Sequence, residues 1–236
     1  MGKTIAVCSG SGGAGKTMIA VSVAVGAAKR GKKSILLDAS GVSRAADLIL
    51  GVESLVSLDL ADVAAGQTSV DSSIYPVCRY QHLYYACASL YDSTNLADLH
   101  SILLILQSMC DLLVIDMPSG VIHPGKDILC KEDCCAVVLR PDHTSLRSCE
   151  RLLAGLPSAA PEVSLILNRV SREQQRQQVQ YDESTVQMIL DRTVAGSVPE
   201  DKSIAVSAAK GRPAIECDGP AWTALNKLTD ALLIGV

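Results

Sequence analysis

The chain has 236 residues, of which 48% are hydrophobic and 19% charged, so it is long and apolar enough for one large core and is not an intrinsically disordered chain. Its formal net charge of −4 argues against broad nucleic-acid binding, because a surface that follows phosphates is usually basic. With no Phe and one Trp, the core must consist of Val, Ile, Leu and Ala, which suit buried parallel strands and the helices that cover them.

Nine cysteines are scattered through apolar runs and predicted helices, as is typical of reduced, buried thiols. No signal-peptide pattern begins the chain, and no apolar run approaches the roughly 18 residues of a membrane span. We therefore expect a cytoplasmic protein.

Strand-like and helix-like segments alternate along the chain. In order they are the strand Thr4–Cys8, helix Met18–Arg30, strand Lys33–Asp38, helices Ser43–Leu50 and Leu55–Ala65, strand His82–Ala88, helix Leu96–Cys110, strands Asp111–Asp116 and Asp133–Leu139, helix Ser145–Leu156, strand Glu162–Asn168, helix Ser171–Arg192, strand Thr193–Val198, and helices Lys202–Lys210 and Ala221–Leu233. This alternation predicts a three-layer α/β fold, in which a mainly parallel sheet is covered by helices on both faces. We expect one domain over residues 1–236, with ligands at the carboxyl ends of the strands.

A glycine-rich segment lies between the first strand and the first helix. Its spacing, G-x-x-x-x-G-K-T, is that of a phosphate-binding P-loop, in which backbone N–H groups surround phosphate oxygens and the helix N-terminus adds to the field. The alternative is a glycine-rich turn that binds no nucleotide. The predicted nucleotide-binding residues here are Gly10, Ser11, Gly12, Gly13, Ala14, Gly15, Lys16, Thr17 and the following Met18.

Two acidic residues end neighbouring predicted strands, Asp38 and Asp116. In a P-loop protein an acid at this place holds Mg²⁺, usually through water, together with the hydroxyl that follows the P-loop lysine. We therefore predict a magnesium site at Thr17, Asp38 and Asp116, and catalytic roles for Lys16 and Asp38. The alternatives are a helix-capping Asp116 and a plain loop carboxylate at Asp38.

These motifs together resemble the MinD/ParA class of P-loop ATPases, the SIMIBI type, and within it MinD most. The resemblance rests on S-G-S-G-G-A-G-K-T, L-L-D-A-S-G-V-S-R-A-A-D-L, V-I-D-M-P-S-G and V-P-E-D, and it covers nearly the whole chain. It implies ATP and ADP as ligands with Mg²⁺, and an ATP-dependent homodimer. It further implies that Asn168, beside Arg169, contacts the adenine, and that Pro199, Glu200 and Asp201 border the same pocket; a strand-end turn is the alternative for Asn168.

Two positions depart from the family pattern. Ser11 stands where the family has a Lys that reaches the partner subunit's ATP, and Ser40 stands where it has an Asp that supports hydrolysis. A Ser cannot supply positive charge to a transition state, and loss of such a cation costs about a thousandfold or more in comparable phosphoryl transfers. We expect nucleotide binding to be retained and turnover to be weak or lost.

Three further segments have competing interpretations. The last helix places Trp222, Leu225, Leu228 and Leu232 on one face, but with Lys227 as its only basic residue we favour core packing over membrane binding. The tyrosines between Ile74 and Tyr91 are interpreted as packing residues, with a partner-binding surface as the alternative. Cys130, Cys134 and Cys135 suggest a metal site. Against it, Cys134 and Cys135 are adjacent in a predicted strand, so their side chains should point to opposite faces and cannot easily bind one ion.

The resemblance and the two departures leave three functions open. The first is a MinD-like ATPase that organises the cell in space, for example by placing the division site. The second is an ATP-bound scaffold that does not hydrolyse and that positions pili or flagella through an unidentified protein partner. The third is a ParA-like partition protein, which the acidic charge disfavours, and we expect no nucleic acid as a partner. Peripheral membrane localisation is doubtful but open.

Overall fold

The computed structural model describes residues 2–40, 44–88, 100–120, 133–155 and 162–236. Its strands are β1 Lys3–Cys8, β2 Ser34–Asp38, β3 Tyr75–Pro76, β4 Leu83–Cys87, β5 Leu112–Asp116, β6 Cys134–Leu139, β7 Glu162–Val170 and β8 Val194–Pro199. Its α-helices are α1 Lys16–Lys29, α2 Ala45–Leu50, α3 Leu60–Ala64, α4 His100–Ser108, α5 His143–Ala154, α6 Arg172–Arg176, α7 Glu183–Leu190, α8 Lys202–Ala209 and α9 Pro220–Leu232.

The described strands form one sheet in the order β3-β4-β2-β5-β1-β6-β7-β8. Every pair is parallel except the short β3–β4 pair. Parallel pairing aligns the carboxyl ends of β1, β2 and β5 at one edge, where Asp38 is the register partner of Asp116. The predicted mainly parallel sheet is thus confirmed, while a single domain over residues 1–236 stays a prediction.

Alternate residues of the strands face two separate hydrophobic layers. In β1, Ile5 and Val7 face the layer that contains α1 and α9, whereas Ala6 and Cys8 face the layer that contains α4, α5 and α7. Both layers consist largely of aliphatic side chains, as the lack of Phe predicts. The fold therefore holds β1, and the loop that follows it, between two fully packed faces.

Two predicted helices differ from the observed ones. Ser171–Arg192 is split into α6 and α7, because Gln178 adopts a left-handed backbone conformation and the Asp182 side chain caps α7 at Thr185. The helix predicted at Leu55–Ala65 begins only at Leu60, where Asp59 forms a capping box. The predicted ends at Ser43, Leu96 and Leu156 lie outside the described residues.

The tyrosine-rich segment packs mainly inward. Tyr80 and Tyr85 are buried, which confirms the packing interpretation for these two rings. The Tyr75 hydroxyl accepts a hydrogen bond from the Leu58 amide at 2.8 Å and donates one to the Leu58 carbonyl at 3.0 Å. Tyr91 lies outside the described residues.

Helix α9 packs into the core, as predicted. Its buried residues include Ala221, Leu225, Leu228 and Leu232, a stripe at helical spacing. The prediction was wrong for Trp222, which is 50% exposed. Ala221, not Trp222, occupies the first position of the buried stripe. None of the helices in the described ranges has the length and apolar character needed to cross a membrane.

Gly26 of α1 lies against Thr229 of α9 and against Ile215, a contact that yields a first prediction. A Cβ on Gly26 would lie 2.7 Å from Ile215 Cδ1 and 2.9 Å from Thr229 Oγ1. We therefore expect Gly26→Ala to lower the free energy of unfolding by about 1–3 kcal/mol through overpacking, although Ala is normally favoured in helices by about 1 kcal/mol. Urea denaturation would measure it. Gly155→Ala, whose Cβ meets its nearest atom at an ordinary 3.4 Å, is the control and should be neutral.

Candidate functional site

The loop between β1 and α1 is hydrogen-bonded to the protein on one side and faces open space on the other. Its backbone is fixed by Ser9, whose hydroxyl donates to the Ser11 carbonyl at 2.7 Å and whose carbonyl accepts the Gly120 amide at 2.8 Å. A Cβ on Gly12 or Gly13 would meet no atom within 4 Å. The open side borders a cavity of about 230 Å³ lined by Gly13, Gly15, Lys16, Thr17, Ser40 and Ser119. The predicted phosphate-binding loop therefore has free space next to its backbone, on the side of the cavity.

Lys16 begins α1 and is largely buried in this cavity. Its Nζ donates to the Ser119 Oγ at 2.7 Å. Burial lowers the pKa of Lys16, and the negative charge of Asp116 partly opposes that shift. A buried ammonium with one hydroxyl partner keeps donor capacity for an anion in the cavity. Ser119 was not predicted as a site residue. Apart from its position shortly after Asp116, nothing in the sequence indicates that it contacts Lys16.

The side chains of Thr17 and of the two strand-end acids, Asp38 and Asp116, lie close together next to Lys16. The Thr17 Oγ1 donates to Asp116 Oδ2 at 2.6 Å. The other oxygen of Asp116, Oδ1, and Asp38 Oδ2 are buried with no hydrogen-bond partner among the described residues. Burial raises the pKa of Asp116 to about 7, with a further rise from the charge of Asp38. Two buried carboxylates with unpartnered oxygens are suited to a hard divalent cation, which would relieve their repulsion.

Ser40 lies beside Asp38 at the same edge of the sheet. Asp38 Oδ1 accepts hydrogen bonds from the Ser40 hydroxyl at 2.6 Å and from the Ser40 amide at 3.0 Å. Ser40 thus orients Asp38 within the turn after β2. It supplies a hydroxyl to the cavity where the family pattern has a carboxylate.

Asn168, at the end of β7, contacts the phosphate loop directly. Its Nδ2 donates to the Ala14 carbonyl at 2.8 Å, and its Oδ1 accepts the Arg169 amide at 3.0 Å. The Asn168 residue is 2% exposed. Gly15 is held against the same amide in a left-handed conformation, φ +96°. The structure therefore connects β7 to the phosphate loop through Asn168, and contact with an adenine stays a prediction.

Gln180 fixes the last residues of β7, among them Arg169, a function that the sequence did not predict. Its amide accepts the Ser171 N–H at 2.8 Å and donates to the Arg169 carbonyl at 2.9 Å. Arg169 has φ +57° at a point of β7 where the register with β8 shifts. The sequence shows only a run of glutamines after Ser171, and nothing local marks Gln180, which is 6% exposed, as the buried one.

The remaining predicted residues lie to the side of the phosphate loop. Asp201 caps α8 through Ser203 and accepts the Ala221 amide at 3.0 Å, and these hydrogen bonds lower its pKa. The Glu200 amide donates to Val170 at the end of β7. Pro199 borders a separate cleft with Val170 and Arg172. None of the three lines the cavity above Gly13 and Lys16, so their part in a nucleotide pocket also stays a prediction.

The structure also bears on the cysteine motif. Cys134 and Cys135 face opposite layers of the core, as the strand pattern predicts. In the ranges that the structure describes, no group of three or more His, Cys, Asp and Glu side chains is placed to hold a metal by itself. Cys130 lies outside those ranges.

A family model decides which class of proteins this site belongs to. Residues 5–214 match the model of the CobQ/CobB/MinD/ParA nucleotide binding domain. The chain belongs to this family. The match includes most of β1, the phosphate loop, both strand-end acids and Asn168, and it confirms the predicted resemblance to the MinD/ParA class and its α/β P-loop fold.

Curated relatives and solved structures agree with this assignment. An uncharacterized ATP-binding protein of Methanocaldococcus jannaschii is 32% identical over 243 residues, which cover 100% of this chain and 89% of the relative. The septum site-determining protein MinD of Helicobacter pylori is 25% identical over 99% of this chain and 91% of its own length. In a MinC:MinD cell division complex of Aquifex aeolicus, the matching chain aligns with a TM-score of 0.88 at 24% identity, covering 99% of this chain and 96% of that chain.

A further solved structure contains a bound nucleotide. The MinD of Pyrococcus horikoshii, solved with Mg-ADP, aligns with a TM-score of 0.83 at 24% identity, over 98% of this chain and 95% of that one. At this identity the likeness establishes the fold alone. The family assignment rests on the family model and on the relative that is 32% identical.

Proposed function

We propose that this chain is a MinD-like protein that binds ATP or ADP with Mg²⁺ and switches, depending on the nucleotide, between a monomer and a homodimer. The observation that carries the proposal is the cluster of Lys16, Thr17, Asp38 and Asp116 beneath an open glycine-rich loop. This cluster combines a buried cation, a hydroxyl and two carboxylate oxygens that have no hydrogen-bond partner in the part of the chain that the structure describes. Anionic phosphates and a divalent cation together would satisfy all of these groups.

Each residue of the cluster has a proposed role. The backbone from Gly10 to Gly15 would surround the phosphates, and the Lys16 ammonium would contact their terminal oxygens. Thr17 and Asp116 would hold Mg²⁺, with Asp38 binding its water shell or orienting an attacking water. When bound, Mg²⁺ supplies Lewis-acid stabilisation of negative charge on the phosphates. The 2.6 Å hydrogen bond between Thr17 and Asp116 keeps both side chains aimed at one position.

We further propose that hydrolysis is slow. Ser11 is only partly exposed and contributes no charge to the loop, and the Ser40 hydroxyl is already bonded to Asp38. Neither side chain can replace the Lys and Asp of the family pattern, because one lacks the positive charge and the other the carboxylate. This favours an ATP-bound scaffold as the second candidate function, in which the nucleotide holds a surface for a partner.

The cellular role that we propose is spatial organisation such as placement of the division site. Support comes from relatives named septum site-determining protein, among them that of Helicobacter pylori. A MinD chain from Aquifex aeolicus was solved together with MinC, so a protein partner that recognises the nucleotide-bound form is part of the proposal. The proposed location is the cytoplasm, and recruitment to the membrane surface through such a partner is the alternative.

The decisive experiment measures binding of Mg-ATP and release of phosphate by the same preparation. We expect ATP to bind and Lys16→Ala to weaken its affinity at least about a hundredfold, because Lys16 is the only cationic side chain among the described residues that line the cavity. Lys202→Ala, which removes a lysine from the first turn of α8, is the matched control and should change neither quantity.

The outcomes separate the two candidate functions. Phosphate release above the Lys16→Ala level would support an ATPase, and release equal to that level with ATP still bound would support the scaffold. Equal ATP affinity for wild type and Lys16→Ala would contradict the proposed site altogether.

A further inference from the structure

The loop after β5 brings one further hydroxyl, that of Ser119, to the nucleotide site. The Met117 amide donates to the Val7 carbonyl at 3.0 Å, and the Gly120 amide donates to the Ser9 carbonyl at 2.8 Å. Ser119 thus lies between two backbone hydrogen bonds that attach this loop to β1 and to the start of the phosphate loop. Its side chain borders the cavity of about 230 Å³. A side chain on a backbone held in this way needs little ordering when a ligand enters the cavity.

Lys16 and Ser119 form a pair in which both members keep donors for a ligand. The Lys16 Nζ donates to the Ser119 Oγ at 2.7 Å. An ammonium has three N–H donors and no acceptor, so two donors are not used in this bond. The Ser119 hydroxyl is the acceptor here, and its own proton has no acceptor among the described residues. Both groups can therefore donate to the same anionic oxygen.

The other two hydroxyl groups that line the cavity already donate to carboxylates. The Ser40 Oγ donates to Asp38 Oδ1 at 2.6 Å, and the Thr17 Oγ1 donates to Asp116 Oδ2 at 2.6 Å. A hydroxyl has one proton, so neither group can donate to a phosphate without giving up its bond to a carboxylate. Of the described hydroxyls around this cavity, that of Ser119 is the one with a proton to spare.

The position of Ser119 along the Lys16 side chain indicates which phosphate it would contact. The glycine-rich backbone lies at the base of this side chain, because Gly15 directly precedes Lys16, whereas Ser119 contacts its tip. In P-loop proteins the backbone N–H groups surround the inner phosphates and the lysine reaches the outer two. The last phosphate of a nucleoside triphosphate would therefore come closest to Ser119, and a diphosphate would end before it.

We propose that Ser119 distinguishes ATP from ADP by donating a hydrogen bond to the terminal phosphate of ATP while it accepts one from Lys16. This inference rests on the function proposed above and names a residue that makes the site specific for the triphosphate. In the empty site, Ser119 is the partner of the Lys16 ammonium. With ADP bound, Lys16 contacts the last phosphate and Ser119 contacts Lys16 alone. The difference in affinity between the two nucleotides then depends on the Ser119 hydroxyl.

The test compares two nucleotide affinities of the full-length chain by titration calorimetry. The probes are Mg²⁺ with AMP-PNP, an ATP analogue that is not hydrolysed, and Mg²⁺ with ADP. We expect Ser119→Ala to weaken AMP-PNP binding about tenfold or more, because one hydrogen bond to a charged group is lost. Its ADP affinity should stay within about twofold of the wild-type value, because no such bond is made to the diphosphate.

A matched control removes a serine hydroxyl far from the nucleotide site. The Ser108 Oγ donates to the Ile105 carbonyl at 2.7 Å within α4. The neighbouring Gln107 carbonyl accepts the Gly2 amide, so this end of α4 lies at the start of β1, and the phosphate loop follows the other end of that strand. Ser108→Ala should leave both nucleotide affinities unchanged.

A role for Ser119 in the empty protein alone predicts a different result. If Ser119 serves only to hold Lys16 before a ligand arrives, Ser119→Ala releases the ammonium, and both nucleotides then bind as well as before or better. Equal changes in the two affinities, or no change in either, would therefore overturn the proposal. A loss confined to AMP-PNP would support it.

Failure of the nucleotide site itself gives a pattern that is distinct from both. A wild-type chain that binds neither AMP-PNP nor ADP would contradict the function proposed above, and the role of Ser119 with it. A wild-type chain that binds both, with the same ratio of affinities in Ser119→Ala, would leave the proposed function intact and overturn the role of Ser119 alone.

Discussion

The double variant Ser11→Lys/Ser40→Asp is expected to release phosphate from Mg-ATP about a thousandfold faster than the wild-type chain. Ser11 lies in the phosphate loop and is partly exposed, so a lysine there can extend from the site without displacing the core. An aspartate at residue 40 would add a carboxylate next to the cavity that Lys16 and Thr17 line. Steady-state phosphate release with and without the substitutions measures the effect.

Two controls make this prediction specific. Ser11→Gln has similar reach but no charge, so it should remain at the wild-type rate if positive charge is what the loop lacks. Adding Lys16→Ala to the double variant should abolish the gain, because the new groups act on a nucleotide held at the phosphate loop. A double variant that stays at the wild-type rate while binding ATP would show that these two serines do not limit turnover.

Gly15→Ala is expected to cause the second large effect, a loss of roughly 2–4 kcal/mol of stability together with loss of ATP affinity. Its φ of +96° disfavours any residue with a Cβ, and that Cβ would lie 2.2 Å from Asn168 Nδ2. The Asn168 amide can move only by giving up its buried hydrogen bond to Ala14. Strain, overpacking and an unsatisfied carbonyl therefore act together.

Urea denaturation of three variants separates these contributions. Gly66→Ala has a comparable φ of +71° with open space around its Cβ, so it should show only the backbone strain of about 1 kcal/mol. The double variant Gly15→Ala/Asn168→Ala removes the colliding amide and should recover part of the loss. If Gly15→Ala is no more destabilising than Gly66→Ala, then Asn168 does not restrain the loop.

Strand β1 and the loop after it show which parts of the fold were predictable. Thr4–Cys8 was predicted and Lys3–Cys8 is observed, because a short apolar run between polar residues has few alternatives to a buried strand. The long helix predicted at Ser171–Arg192 was wrong in its middle. The break at Gln178 depends on Gln180 bonding Arg169 and Ser171 and on Tyr181 donating to the Pro141 carbonyl, contacts between segments that periodicity does not reveal.

The residues of the candidate site also separate into those that the sequence predicted and those that it did not. Lys16, Thr17, Asp38 and Asp116 were predicted because motif spacing and strand ends specify them locally, and parallel pairing then brings both acids to one edge. Ser119 as the partner of the Lys16 ammonium was not predicted, since the pairing joins residues 103 positions apart. The contact of Asn168 with Ala14 is of the same kind, with 154 positions between them.

The sequence by itself thus determined the class of the protein, most of its strands and helices and the residues of its glycine-rich loop, because each depends on neighbours within a few positions. Only the tertiary structure decided how those residues are held. It showed that Asn168 bonds to the loop and that Ser119 bonds to Lys16. It also showed that two carboxylate oxygens find no hydrogen-bond partner among the described residues. The physical reason is that burial and hydrogen-bond satisfaction depend on contacts between distant segments, which form only when the sheet is assembled.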